Sequence, residues 1–185
     1  PGRLSKRAPC IQAPIPLSRL MSQISILLTT LNATYQHCAF GLRYLYANLR
    51  DLKPKAQIRE FTIAQSARDI VENILVLNPR IIGFGVYIWN TRQVEEVVRI
   101  LKKVRPDITI VLGGPEVSHE TEGQSLVEAS DYVIKGEAEI LFYQLCEGIL
   151  KKDQFPPTKI LQAELPKVDT LALPYQEYTG EDIRN

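Results

Sequence analysis

Between residues 24 and 150, five short apolar runs alternate with stretches whose apolar residues recur at helical spacing. That alternation constrains the fold more than any other feature, because strand–helix repeats pair as parallel strands joined by right-handed helical crossovers. The runs are 24–28 (followed by Thr29 and Thr30), 56–61, 80–88, 108–112 and 131–134. The third is apolar on both faces, as a central parallel strand must be. A first helix is expected over 38–52, stopped by Pro54. A second starts at Ser66, with Asp69 three residues on, and carries a stripe of Ile70, Ile74, Leu75 and Leu77. Asn90 is expected to cap a third, with Gln93 at its third position and Val94, Val97, Val98, Leu101 and Val104 on one face until Pro106. Gly123 should shorten or break the segment after Gly113-Gly114-Pro115, and a last helix carries Ala138, Leu141, Phe142, Leu145 and Ile149. The expected fold is α/β: a flavodoxin-like, doubly wound sheet of five parallel strands in the order 2-1-3-4-5, within three α/β/α layers. Ligands of such sheets bind outside the carboxyl ends of the strands where the strand order reverses, here between the first and third strands.

The flanks differ in character. Residues 1–21 place Pro1, Pro9, Pro14 and Pro16 among Arg3, Lys6, Arg7 and Arg19, and the only methionine is Met21. They read as a leader or vector-derived tail preceding a domain over 22–150. Residues 151–185 contain Pro156, Pro157, Pro166 and Pro174 and no helical period, so they read as an extended linker or a strap along the domain. The chain has 22 Lys and Arg against 21 Asp and Glu, but the first twenty residues hold four of the bases and no acid. The remainder, with 18 bases and 21 acids, is mildly acidic and lacks a nucleic-acid footprint. No apolar run approaches the ~20 residues of a membrane span. Cys10, Cys38 and Cys146 stand far apart, which fits a reducing cytoplasm and excludes a disulfide framework or a cysteine-ligated cluster built by this chain alone.

Four loops at the strand ends could carry chemistry. The first, 29–40, is long and polar, with Thr29, Thr30, Asn32, Thr34, Tyr35, Gln36 and His37. In the second, Gly83 and Gly85 alternate and so face one side of the central strand, leaving either a ligand slot or room for tight helix packing. Tyr87, Ile88 and Trp89 would wall that slot or belong to the core. The third, Gly113-Gly114-Pro115-Glu116, allows close backbone approach before a helix start. The fourth, Lys135-Gly136-Glu137, combines a sharp turn with acids suited to a helix N-terminus. A dinucleotide fingerprint is excluded, since Ile88 stands where its third glycine would be and the glycine pair lies within a strand. Phosphate-loop and response-regulator sites are also missing. His37 and His119 lie on different loops and read as surface residues or isolated ligands.

The segments ILLTTLNATYQHCAFGLRYLYANL, IIGFGVYIWN, IVLGGPEVS and DYVIKGEAE, in this order over 24–150, resemble the N-terminal cobalamin-binding domain of cobalamin-dependent radical S-adenosylmethionine enzymes. The tail VDTLALPYQEY resembles the connector that leads into the radical domain of that family, whose CxxxCxxC is absent here. The resemblance implies a corrin over the carboxyl end of the sheet and a nucleotide tail in the slot beside Gly83, Gly85, Gly113 and Gly114. Its implied cofactor-contacting set is Thr30, Asn32, Tyr35, Gln36, His37, Cys38 and Gly41, with Gly83, Gly85, Tyr87 and Trp89, then Gly113, Gly114, Pro115, Glu116, Gly136 and Glu137. S-adenosylmethionine and a 4Fe-4S cluster would belong to the missing domain, a partner of this one.

One departure bears on the metal. Members with a histidine–cobalt bond carry DxHxxG after the first strand. Aligned on Gly41, this chain has Gln36 at the Asp position and Cys38 at the His position, with His37 one residue out of register. The resemblance therefore implies base-off cobalamin without a histidine ligand. Two other readings remain: a flavin mononucleotide electron carrier, with Thr29, Thr30, Asn32 and Thr34 as a phosphate loop, and a docking domain that has lost its cofactor.

Overall fold

The computed structural model describes residues 24–33, 38–119, 121 and 123–180. The reading of 1–21 as a leader or vector-derived tail falls outside the described residues. So do the candidate site residues Tyr35, Gln36 and His37.

The element order is β1 (Ile26–Asn32), α1 (Phe40–Ala47), β2 (Ala56–Thr62), α2 (Ala67–Leu77), β3 (Ile81–Gly85), α3 (Thr91–Val104), β4 (Thr109–Gly113), α4 (Pro115–His119), α5 (Ser125–Ala129), β5 (Tyr132–Lys135), α6 (Glu139–Lys152) and β6 (Ile160–Gln162). The sheet runs β2-β1-β3-β4-β5-β6 with every pair parallel. The doubly wound class and the order of the first five strands are as the sequence implies. The sixth strand is a correction. It has only three residues on a mostly exposed edge, too few for a burial period to show in the sequence.

Alternation along the strands sorts side chains to two faces. On one, Leu27, Leu31, Ile82, Phe84, Ile110, Leu112 and Val133 pack against α2, α3, α4 and α5. On the other, Ile26, Leu28, Ile81, Val111 and Ile134 pack against α1 and α6. In α3, Val94, Val97, Val98 and Leu101 are completely buried, each contributing about 1.5–3 kcal/mol of transfer free energy. The stripe ends one residue sooner than its spacing suggests, since Val104 is exposed in the last turn.

Helix starts follow the sequence in one case and depart from it in another. Ser66 caps α2 by accepting a hydrogen bond from the Asp69 amide at 3.2 Å. Asn90 precedes α3 but makes no side-chain cap. Gln93 donates instead to the Gln65 carbonyl. The first helix is also shorter than 38–52: α1 ends at Ala47, Arg50 takes a left-handed φ of 50°, and Pro54 sits within a 3-10 turn over Arg50–Lys55.

The segment after α6 lies along the domain. The Asn48 amide exchanges two hydrogen bonds with the Ala172 backbone, at 3.0 and 2.9 Å. Lys53 pairs with Glu177 at 2.6 Å. The Arg43 guanidinium lies 4.8 Å from the Tyr178 ring centroid, and Pro174 is buried. Residues 172–178 thus form a strap over α1. Among the described residues, no helix is long and apolar enough to cross a membrane.

Candidate functional site

A cavity of about 570 Å³ opens at the carboxyl ends of β3, β4 and β5, on the α1 and α6 side of the sheet. It lies within the size range of sites that hold drug-sized ligands. Its position differs from the expected crevice between β1 and β3. At that junction the completely buried Asn90 fills the space. Its amide nitrogen donates to Thr30 Oγ1, the Leu31 carbonyl and the Gly85 carbonyl, and its oxygen accepts from the Tyr87 amide. The sequence marks Asn90 as a cap; tertiary structure uses it as a plug that displaces the opening toward β4 and β5.

The register explains the slot. Gly83 and Gly85 of β3 lie beside Val111 and Gly113 of β4, all on the α1 and α6 face. The four glycines around it do different things. A methyl at Gly83 would come within 3.0 Å of Leu28 and 3.1 Å of the Phe142 ring, so this glycine serves helix–sheet packing. A methyl at Gly85 would touch Thr30 and Tyr87 at 3.4–3.5 Å, ordinary contact distances. At Gly113 it would meet nothing closer than the Ile134 carbonyl at 3.9 Å, so this position faces open cavity. Gly114 has φ +109°, and a methyl there would lie 2.5 Å from the Val86 carbonyl oxygen. Only glycine fits that close approach of the β3 and β4 exits.

Gly41, Leu42 and Leu45 of α1 form one wall, and residues 134–139 with Phe142 form the other. Tyr87 stands at the mouth, its hydroxyl 3.9 Å from where a Gly41 side chain would begin. Burial, aided by the Glu60 charge, raises the Tyr87 phenol above its usual range, keeping it a neutral hydrogen-bond donor. Its ring stacks on Trp89 with centroids 4.7 Å apart and planes 3° from parallel. On the far wall, burial raises the Glu139 carboxyl, the Glu137 charge adds to the rise, and Glu139's own amide opposes it.

Of the candidate residues, Gly41, Gly83, Gly85, Tyr87, Gly113, Gly114, Pro115, Gly136 and Glu137 line this cavity. Cys38, Trp89 and Glu116 do not; Trp89 is half-exposed behind Tyr87. Thr30 and Asn32 belong to β1 rather than to a loop. Thr30 is completely buried and donates to the Gly85 carbonyl at 2.7 Å, and Asn32 donates to Glu60 at 2.6 Å. Thr29, also in β1, donates to the Arg59 carbonyl. Residues that the sequence reading missed include Leu42, Leu45, Phe142, Ser118, Glu139 and Gln162. Glu139 had a signal in the same acid-rich helix start as Glu137. Gln162 had none, since it comes from the unrecognised β6.

Beneath the loop after β1, Glu60 accepts hydrogen bonds from Asn32 Nδ2, the Ala39 amide and Arg43 at 2.6, 2.9 and 2.6 Å. Asn32 precedes that loop and Ala39 follows it, so one carboxylate ties both ends. Among the described residues, no group of three or more His, Cys, Asp or Glu side chains is placed to hold a metal ion.

The B12 binding domain family matches this sequence over residues 26–145. The chain belongs to the B12-binding domain family. The match takes in all five βα units and every cavity residue except Gln162. Among solved structures, a cobalamin-binding protein from Desulfitobacterium hafniense DCB-2 is similar, with a TM-score of 0.50 and 16% identity over 71% of this chain. The alignment spans 61% of that protein's length, and at this identity the likeness concerns the fold. A CheY-like protein from Pseudomonas aeruginosa PAO1 has a TM-score of 0.49 and 15% identity over 72% of this chain and 98% of its own. No curated protein matches the sequence.

The B12-binding domain implies cobalamin, and the cavity suits part of that ligand. Gly113 leaves a cradle that a side chain would fill, the floor is apolar, and Glu139 Oε2 is buried on the wall with no hydrogen-bond partner. The space accommodates a slender, nucleotide-sized appendage; the bulkier corrin would have to remain outside the strand ends.

Proposed function

We propose that this domain holds base-off cobalamin for a radical S-adenosylmethionine enzyme, with methyl transfer as the reaction class. The nucleotide tail enters the cavity between α1 and α6, and the corrin rests over Tyr87 and the exits of β3 and β4. The single observation that carries the reading is the open position at Gly113, deep in a slot that the family's ligand requires. Bound cobalamin supplies a cobalt centre that can accept and pass on a methyl group. The domain's own residues bury the tail and present the corrin face. The reading assigns no histidine to cobalt, because Cys38 stands at the usual ligand position, half-buried and away from the cavity lining. The radical partner is inferred from the four sequence segments and the connector-like tail; S-adenosylmethionine and the 4Fe-4S cluster belong to that partner domain.

The flavin alternative loses its main support, since Thr29, Thr30 and Asn32 spend their donors within the sheet. Hydroxocobalamin titration followed by visible spectroscopy and gel filtration tests the proposal. A base-off spectrum that co-elutes with the protein is expected. A free-cobalamin spectrum with no co-elution overturns it in favour of a cofactor-free docking domain, and tight binding of flavin mononucleotide would favour the electron carrier.

A further inference from the structure

Glu139 opens α6 and contributes to the cavity wall near Gly136 and Glu137. Its Oε2 is buried and has no hydrogen-bond partner, and no ion pair involves this residue among the described residues. Side-chain oxygens buried in folded proteins are nearly always satisfied, and an unsatisfied one calls for a specific explanation. Helix capping does not supply it. An acid at the start of α6 is favoured by the helix dipole, but the exposed Glu137 offers that charge without burial. What distinguishes Glu139 is that its free acceptor is on the wall of a ligand-sized space.

We propose that Glu139 is a ligand-reading residue, whose Oε2 accepts a hydrogen bond from a neutral O–H or N–H donor of the bound corrinoid. This rests on the cobalamin reading above. Two groups of that ligand have the required chemistry: a ribose hydroxyl on the nucleotide tail and a carboxamide on the corrin rim. The tail phosphodiester does not, because it carries no proton and would repel a carboxylate. The other charged or titratable side chains on this cavity are Glu137, Lys135, His119 and Tyr87. A donor meeting Glu139 would convert a buried, unpaired acceptor into a charge-assisted hydrogen bond, so the group that burdens the free domain would favour the loaded one.

The test compares wild type, Glu139→Gln and Glu139→Leu by spectroscopic titration with hydroxocobalamin and with cobinamide, which retains the corrin carboxamides and lacks the nucleotide. Thermal melts of the free proteins accompany it. Glu139→Leu is expected to weaken cobalamin binding by about tenfold, equivalent to ~1.4 kcal/mol, while the melting temperature of the free protein stays level or rises. Glu139→Gln, which keeps a carbonyl acceptor, should lose less. A loss confined to cobalamin puts the donor on the tail, and an equal loss for cobinamide puts it on a corrin carboxamide. Unchanged affinity in Glu139→Leu overturns the inference while leaving the cobalamin reading intact. A lower melting temperature with equal losses in both variants also overturns it, by making Glu139 structural. A wild type that binds neither probe overturns the cobalamin reading itself.

Discussion

On one face of the sheet, α2 and α3 supply 11 and 14 residues of amphipathic helix, and the strand residues beneath them are large and aliphatic or aromatic. On the other, α1 has eight residues, and the strand ends beneath it carry Gly83, Gly85 and Gly113. The short helix leaves cover to be supplied by the strap, through Asn48–Ala172, Lys53–Glu177 and Arg43–Tyr178. One face is therefore a filled core. The other is a core near the strand starts and a slot near the strand ends. A doubly wound sheet can assign stability to one side and binding to the other because successive side chains point in opposite directions.

Substitutions can break this division. Phe84→Ala removes the largest side chain of the filled face and should cost about 3–5 kcal/mol, read by denaturant unfolding. On the slot face, Glu60→Ala leaves Arg43 buried without its carboxylate and frees both ends of the loop after β1. Their side chains are only 16% and 4% exposed, so a loss of about 3 kcal/mol is expected from the same measurement. If it costs under about 1 kcal/mol, the clamp has no structural weight.

Paired glycine variants sharpen the comparison further. Gly83→Ala forces Phe142 and Leu28 apart and should destabilise by about 1–3 kcal/mol. Gly113→Val should change stability by no more than about 0.5 kcal/mol, yet weaken cobalamin binding by about tenfold or more because its side chain occupies the slot. Equal effects of the two substitutions in unfolding and titration would erase the distinction between packing and binding glycines. The smallest effect belongs to the strap: Lys53→Ala removes a partly exposed ion pair and should cost less than about 1 kcal/mol in a thermal melt.

Much of this was legible without coordinates. The spacing of Ile70 and Ile74, and of Val94, Val97, Val98 and Leu101, gives the buried faces of α2 and α3, because amphipathic periodicity is local. Gly123 announces the break between α4 and α5. The glycines of β3 and β4 point to a slot, because strand alternation puts Gly83 and Gly85 on one side. What was illegible depends on groups distant in the chain. Asn90 looks like a cap until β1 and β3 place the Leu31 and Gly85 carbonyls beside it. Thr30 and Asn32 look like loop donors until β1 continues through them. β6 has too few residues to carry a period, and its Gln162 reaches the cavity only because the strand pairs with β5.

The sequence alone determined the parallel α/β class, the order of its five principal strands and the family resemblance, since periodicity, turn residues and contiguous motifs are written in neighbouring positions. Tertiary structure alone decided where the cavity opens, which glycine is free to face a ligand, and that Glu139 rather than Thr30 or Asn32 presents an unsatisfied acceptor. Those outcomes depend on which buried polar groups find partners across the sheet, and such partners lie tens of residues apart.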